Sequence, residues 1–160
     1  MLLNHKIFIT VVLLMLIAIS SCSSNETNKQ PKRSLTLNIK ADNRINTKNS
    51  GQGNPVRIRL YELSNAGFFN EAEFIDLYNS DNKTLQNSLV SKYIMPSILP
   101  SESKKVDIDL KNETNFIAIL AEFSDYKYSF NKTYVALGDE EKNSVDLYVE
   151  GNSVRLTKTL

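Results

Sequence analysis

The clearest pattern in the chain is an alternation of apolar and polar residues, which is typical of strands with one buried face. Residues 116–123 are instead almost continuously apolar, which predicts a central strand buried on both faces. The Gly151-Asn152 pair is a hairpin-turn signal between the last two strands. About seven short strands predict a mainly β protein, an antiparallel β-sandwich. The alternating segments are residues 35–41, 55–63, 106–110, 133–137, 144–149 and 153–157.

The period changes after residue 63. Phe69, Phe74 and Leu77 recur at helical spacing, and Glu71 and Glu73 lie near the start, where the helix dipole favours acidic groups. We expect a helical insertion at about residues 69–91, with one short helix followed by a second around residues 83–91. The remainder of residues 34–160 forms the sandwich domain.

Residues 42–54 lack any periodicity and are rich in Asn and Gly, so they predict a long exposed loop ahead of a strand that starts at Pro55. A long irregular loop in so small a domain is usually functional. Ile45 is its aliphatic residue, and two interpretations stay open: it enters a partner's pocket, or it folds back onto the sandwich. The candidate binding residues are Asp42, Asn43, Arg44, Ile45, Asn46, Thr47, Lys48, Asn49, Ser50, Gly51, Gln52, Gly53 and Asn54.

The first residues have the organisation of a secretory signal peptide. Lys6 precedes an apolar run over residues 7–19 that is broken only by Thr10. The run is shorter than the roughly 20 apolar residues that span a bilayer, so we expect cleavage after residue 21. Residues 22–33 are polar and predict a flexible tether.

The signal peptide ends in Ile19-Ser20-Ser21-Cys22, which resembles the lipobox of bacterial lipoproteins. The single cysteine of the chain stands where that motif requires it, so Cys22 is predicted to be lipidated, with acyl chains giving lasting membrane attachment. Ser23 follows in place of aspartate. By resemblance to lipoproteins of enteric-type bacteria, this favours sorting to the outer membrane.

Composition excludes several kinds of chemistry. The chain has 19 basic and 18 acidic residues, so it lacks the excess of positive charge that is typical of nucleic-acid-binding proteins. The sole histidine, His5, leaves with the signal peptide, and Cys22 is blocked by acylation, which removes the usual general base, thiol nucleophile and zinc ligands. We therefore predict no enzyme activity, no cofactor, no metal and no small-molecule substrate. Asp107 and Asp109 share a strand face and are interpreted as solvated rather than as a cation site.

Four aromatic residues follow the central strand, and they permit two interpretations. They either line a ligand groove or take part in ordinary sheet packing with wet hydroxyls. The alternation of the first three also indicates another extended segment. The four residues are Tyr126, Tyr128, Phe130 and Tyr134.

The order of these elements is similar to that of the type VI secretion system outer-membrane lipoprotein family, TssJ (SciN). The motifs that carry the resemblance are the lipobox, the sequence PVRIRLYEL at residues 55–63, the Phe69, Ala72-Glu73-Phe74 and Leu77 spacing, Leu99-Pro100, and residues 116–123. The chain departs from the family in having no Trp and in placing Ser101 where Gly is common.

The resemblance implies a transthyretin-like β-sandwich with an added helical element, held in the outer membrane and facing the periplasm. It also implies that the protein anchors the secretion membrane complex by binding the periplasmic C-terminal region of TssM, with the loop of residues 42–54 contributing. The rival interpretation is a generic periplasmic binding module or adhesin on the same fold, since fold alone does not fix function.

Overall fold

The computed structural model describes residues 32–48 and 51–159. The predicted signal peptide, Cys22, most of the tether, Asn49 and Ser50 lie outside the described residues. The described strands are β1 (Ser34–Ala41), β2 (Ile58–Leu63), β3 (Leu89–Ile94), β4 (Ser103–Asp109), β5 (Phe116–Ala121), β6 (Lys132–Ala136), β7 (Lys142–Glu150) and β8 (Ser153–Lys158). The helices are α1 (Gly67–Glu71) and α2 (Phe74–Leu85), with short 3-10 segments at Gln86–Ser88 and Tyr126–Tyr128.

The strands form two four-stranded sheets, ordered β4-β1-β7-β8 and β3-β2-β5-β6. The predicted β-sandwich is confirmed. One pairing differs from the antiparallel arrangement that we predicted: β1 runs parallel to β7, with Ser34 opposite Lys142, although it is antiparallel to β4. Local alternation carries no information about the direction of a partner strand about 100 residues away, which is why the parallel pair was missed.

The main core lies between the sheets and follows from the alternation. Leu35, Leu37 and Ile39 of β1 are fully buried, and each is followed by a half-buried or exposed residue. β7 repeats the pattern with Val145 and Leu147. Because side chains alternate across a strand, the opposite faces of β1 and β7 remain polar.

Strand β5 is buried on both faces, as predicted from its continuous apolar sequence. Ile117 and Ile119 face the inter-sheet core, whereas Ala118 and Leu120 belong to a second cluster under the helices. The helices supply the other side of this second cluster with three fully buried residues, Phe69, Leu77 and Leu85. The helical insertion therefore covers the outer face of one sheet.

The helical insertion is confirmed over α1 and α2, but the second helix predicted around residues 83–91 is wrong, since α2 occupies residues 74–85 instead. Gln86 has a φ of 51°, which stops α2, and β3 begins at Leu89. The six residues of β3 are half-buried or exposed without alternation, because β3 is an edge strand. The sequence of β3 therefore lacks the alternation of apolar and polar residues that predicts a strand. No helix in the described ranges is long and apolar enough to cross a membrane.

An ion-pair network attaches α2 to the sheet beneath it. Asp81 accepts hydrogen bonds from Lys92 Nζ at 2.8 and 3.0 Å, from Arg59 at 3.2 Å and from the Tyr61 hydroxyl at 3.2 Å. Burial alone raises the pKa of Asp81, but the hydrogen bonds and charges of Lys92 and Arg59 outweigh it and hold this pKa below its ordinary value. Arg59 also donates to Glu122 at 2.6 Å, so the network reaches the end of β5.

Candidate functional site

The connections β1–β2, β3–β4, β5–β6 and β7–β8 meet at one end of the described sandwich, which we call the loop end. The strand register requires this, since the last residues of β1 and β7 lie side by side and the first residue of β2 pairs with the last of β5. Hydrogen bonds confirm the proximity: Ser101 donates to the Asp42 carbonyl at 2.8 Å, and Ser124 donates to Asn46 Oδ1 at 2.8 Å. The predicted loop of residues 42–54 lies among the other three connections.

Asp42 and Asn46 fix the first half of this loop. The Asp42 carboxylate accepts from the backbone N–H groups of Arg44 at 2.7 Å and Gly151 at 3.1 Å. Asn46 adopts a left-handed φ of 50°, is almost fully buried, and donates through Nδ2 to the Pro55 carbonyl at 2.7 Å. The first half of the predicted loop is therefore held by hydrogen bonds to its neighbours.

Ile45 folds back onto the sandwich. Its side chain is completely buried and belongs to the inter-sheet core, so the interpretation that it enters a partner's pocket is wrong. The turn at residues 43–46 carries it inward. The loop residues exposed to solvent are Asp42, Asn43, Arg44, Lys48, Gly51, Gln52 and Asn54, while Thr47 and Gly53 are half-buried.

Gly53 is required for a close approach within the loop. A Cβ atom at this position would overlap the carbonyl oxygen of Asn43 and lie 3.1 Å from Pro100 Cγ. Gly51 has a φ of 68°, in the left-handed region that glycine adopts without strain. The two glycines thus shape the exposed part of the loop and let it pack beside the β3–β4 connection.

The aromatic residues after β5 fit neither of their two predicted roles completely. Residues 126–128 form a 3-10 segment and not an extended one, because Tyr128 N–H bonds back to the Asp125 carbonyl at 3.1 Å. Tyr126 stacks on Phe74 of α2, with ring centroids 4.7 Å apart. Tyr128 and Phe130 are 83% and 78% exposed, so they neither pack in the sheet nor line a groove.

The chain enters the domain at the opposite end of the sandwich. Arg33, just before β1, donates to the carbonyls of Thr114 at 2.7 Å and Gly138 at 2.8 Å. The eight residues of β1 rise about 3.3 Å each, so the loop end lies roughly 23 Å from this entry point. The predicted tether and the loop end are therefore attached to opposite ends of the domain.

Comparison with known protein families identifies the chain. A family profile described as type VI secretion lipoprotein, VasD, EvfM, TssJ matches residues 33–152. The chain belongs to this family. The match covers β1 to β7 and the helical insertion and stops just before β8, and the family is one of secretion lipoproteins rather than of enzymes.

Solved structures share this TssJ-family fold. TssJ1 from Pseudomonas aeruginosa has a TM-score of 0.75 at 20% identity, with 81% of this chain covering 98% of that chain. Serratia marcescens Lip, described as a membrane bound component of the Type VI Secretion System, has a TM-score of 0.73 at 20% identity, with coverages of 80% and 99%. A chain in a structure described as the T6SS protein TssM C-terminal domain (869-1107) from EAEC has a TM-score of 0.64 at 23% identity, with coverages of 80% and 99%. A comparison with curated protein sequences finds no match.

The carboxylates of this TssJ-family chain serve surface and structural roles. Asp107 accepts from Thr36 at 2.7 Å, and Asp109 pairs with Lys32 at 2.8 Å, both with strongly exposed side chains, in agreement with a solvated face. No group of three His, Cys, Asp or Glu residues within residues 32–48 and 51–159 is placed to hold a metal ion. Glu62 is fully buried, but it accepts hydrogen bonds from Tyr93 and Lys111 and holds strands and connections together.

Proposed function

We propose that this protein anchors the type VI secretion membrane complex to the outer membrane. Acyl chains on Cys22 insert into the periplasmic side of that membrane, and the loop end binds the periplasmic C-terminal region of TssM. The observation that carries the proposal is the family membership of residues 33–152, combined with a loop end that lies opposite the point where the chain enters β1. No catalysis enters this role.

The EAEC structure supports TssM as the partner. Since 80% of the present chain covers 99% of the matched chain, the matched chain is shorter than the stretch 869–1107 that the description names. We infer that a chain of TssJ-like fold accompanies a TssM domain in that structure.

The loop of residues 42–54 is well placed for such contact. Its exposed side chains include Arg44 and Lys48, and neither makes an ion pair with another described residue. The anchored first half of the loop limits the entropy lost on binding. Unpaired cations on a held backbone suit a partner surface that offers carboxylates.

The lipid attachment is tested with Cys22→Ser. All the buried core side chains of the described domain lie at residue 35 or beyond, so the variant should fold normally. It should leave the outer-membrane fraction and fail to support secretion, because a single attachment point is lost. Fractionation and a secretion assay decide this, with Ser23→Ala as the control that retains the cysteine. Continued outer-membrane retention and secretion of Cys22→Ser would refute the anchoring role.

A further inference from the structure

Tyr128 and Phe130 present an unusual amount of aromatic surface to solvent. Among the large hydrophobic side chains in the described part of the chain, they are the most exposed, at 83% and 78%. Single exposed hydrophobic residues are common on protein surfaces and need no explanation. Tyr128 and Phe130 are instead two exposed aromatic residues close together on a fixed backbone, beside a candidate binding loop. Aromatic side chains in such an arrangement are typical anchors of protein interfaces.

The backbone that carries them is held on several sides. Phe130 N–H donates to the Asn152 carbonyl at 3.0 Å, and the Phe130 carbonyl accepts from Val154 at 2.9 Å, so this residue bridges to β8. Ser129 Oγ donates to the Asp125 carbonyl at 2.6 Å and closes the turn around Tyr128. These bonds fix the backbone before any partner arrives, which lowers the cost of binding.

The same segment is continuous with the loop of residues 42–54. Asn152, which accepts from Phe130, donates through Nδ2 to the Thr47 carbonyl at 3.2 Å. At the other end of the β5–β6 connection, Ser124 donates to Asn46. The aromatic pair and the cationic loop therefore belong to one surface at the loop end.

We propose that Tyr128 and Phe130 are the apolar anchors of the partner-binding surface, received by an apolar pocket flanked by carboxylates on TssM. This inference rests on the function proposed above. The buried Ile45 cannot reach a partner, so the aromatic pair supplies the apolar contact with the partner's pocket. Arg44 and Lys48 supply the charged rim around that contact. A lipid surface is the other class of apolar partner, but the chain enters the domain at the end opposite the loop end.

The test is the affinity of the full-length lipoprotein in detergent for a TssM C-terminal periplasmic fragment, measured by biolayer interferometry. Tyr128→Ser with Phe130→Ser should raise the Kd at least about tenfold, because removal of central aromatic anchors dominates binding losses. The unfolding temperature should stay unchanged, since both side chains are exposed. Phe68→Ser is the matched control: Phe68 is 40% exposed but lies on α1, outside the connections of the loop end, so the Kd of this variant should equal that of the wild type.

The outcomes separate this inference from the proposed function. If the wild type does not bind the fragment, the proposed function fails. If the wild type binds and the double variant binds equally well, only the aromatic anchors are refuted. Co-sedimentation with vesicles of phosphatidylethanolamine and phosphatidylglycerol, in the Cys22→Ser background, tests the lipid alternative. A loss of vesicle binding with unchanged TssM affinity would also overturn the inference. Tyr128→Ser alone replaces the double variant if that variant unfolds early.

Discussion

Ile45 offers the sharpest test of how the loop end is built, because its burial contradicts the polar character of the loop around it. Ile45→Ala removes three carbon atoms from a side chain with no solvent exposure. At about 0.8 kcal/mol for each buried carbon group, the lost transfer free energy is about 2.4 kcal/mol. The two sheets and the hydrogen-bonded turn restrict collapse around the site, so a cavity contribution raises the expected loss of unfolding free energy to about 3–4 kcal/mol.

Urea unfolding followed by far-ultraviolet circular dichroism measures this loss. Arg44→Ala is the adjacent control, since its side chain is exposed and its substitution should change the unfolding free energy by less than about 0.5 kcal/mol. Affinity for the TssM fragment is measured in parallel on the folded proteins. If Ile45→Ala unfolds within about 1 kcal/mol of the wild type while its affinity falls strongly, the residue contacts the partner and the argument from burial is refuted.

Two further substitutions test how α2 is held to the sheet and how the loop of residues 42–54 packs against its neighbours. Asp81→Asn should cost about 2–3 kcal/mol at pH 7, because it leaves the Lys92 charge unpaired against α2. The pKa of Asp81 is lowered in the folded state, so the wild type's extra unfolding free energy is fully present above the unfolded pKa of about 4 and is lost as pH falls through the folded pKa. Urea unfolding of both proteins across this pH range checks the prediction. A difference in unfolding free energy that stays constant with pH would contradict it. Gly53→Ala should weaken TssM binding by displacing the loop from Asn43, at a stability cost of about 1 kcal/mol, whereas Gln52→Ala, at an exposed neighbour, should leave the unfolding free energy unchanged.

The sequence predicted those elements whose burial is regular. Strand β1 alternates because one face meets the inter-sheet core, and β5 is apolar throughout because it separates that core from the helical insertion. Burial on one face or on both leaves a direct trace in the order of residues. Residues 116–123, which include β5, also carry part of the family resemblance.

The missed features depend on distant contacts. The residues of β3 follow no alternation because this strand lies at an edge, and the direction of β7 beside β1 is fixed by topology. Residues 126–130 alternate as a strand does, but the Phe74–Tyr126 stack and the backbone bonds to β8 hold them in a different conformation. Tertiary contacts override local pattern in each case.

The loop residues show the same limit at the candidate site. Ile45 is surrounded by polar neighbours, and nothing in the local sequence distinguishes an aliphatic residue that turns inward from one that faces a partner. Two signals were nevertheless present. Asn46 adopts the left-handed backbone that asparagine tolerates well, and Ser101, where glycine is common in the family, has a φ of 62°. The residue types at such turns indicate a defined loop conformation before any contact is known.

The helical insertion links the stability of the fold to the surface at the loop end. Its buried side chains cover one face of β5, while Asp81 is bound to Arg59, which also holds Glu122 at the start of the β5–β6 connection. Phe74 then stacks on Tyr126 in that same connection. The helical insertion therefore holds the β5–β6 connection, which carries Tyr128, at two places: at its start, through Glu122, and near its middle, through Tyr126. The end of this connection is bound to β8 through Phe130. A connection that is held at three places has a fixed backbone. The exposure of Tyr128 and Phe130 is therefore a property of the folded domain itself and does not require a bound partner.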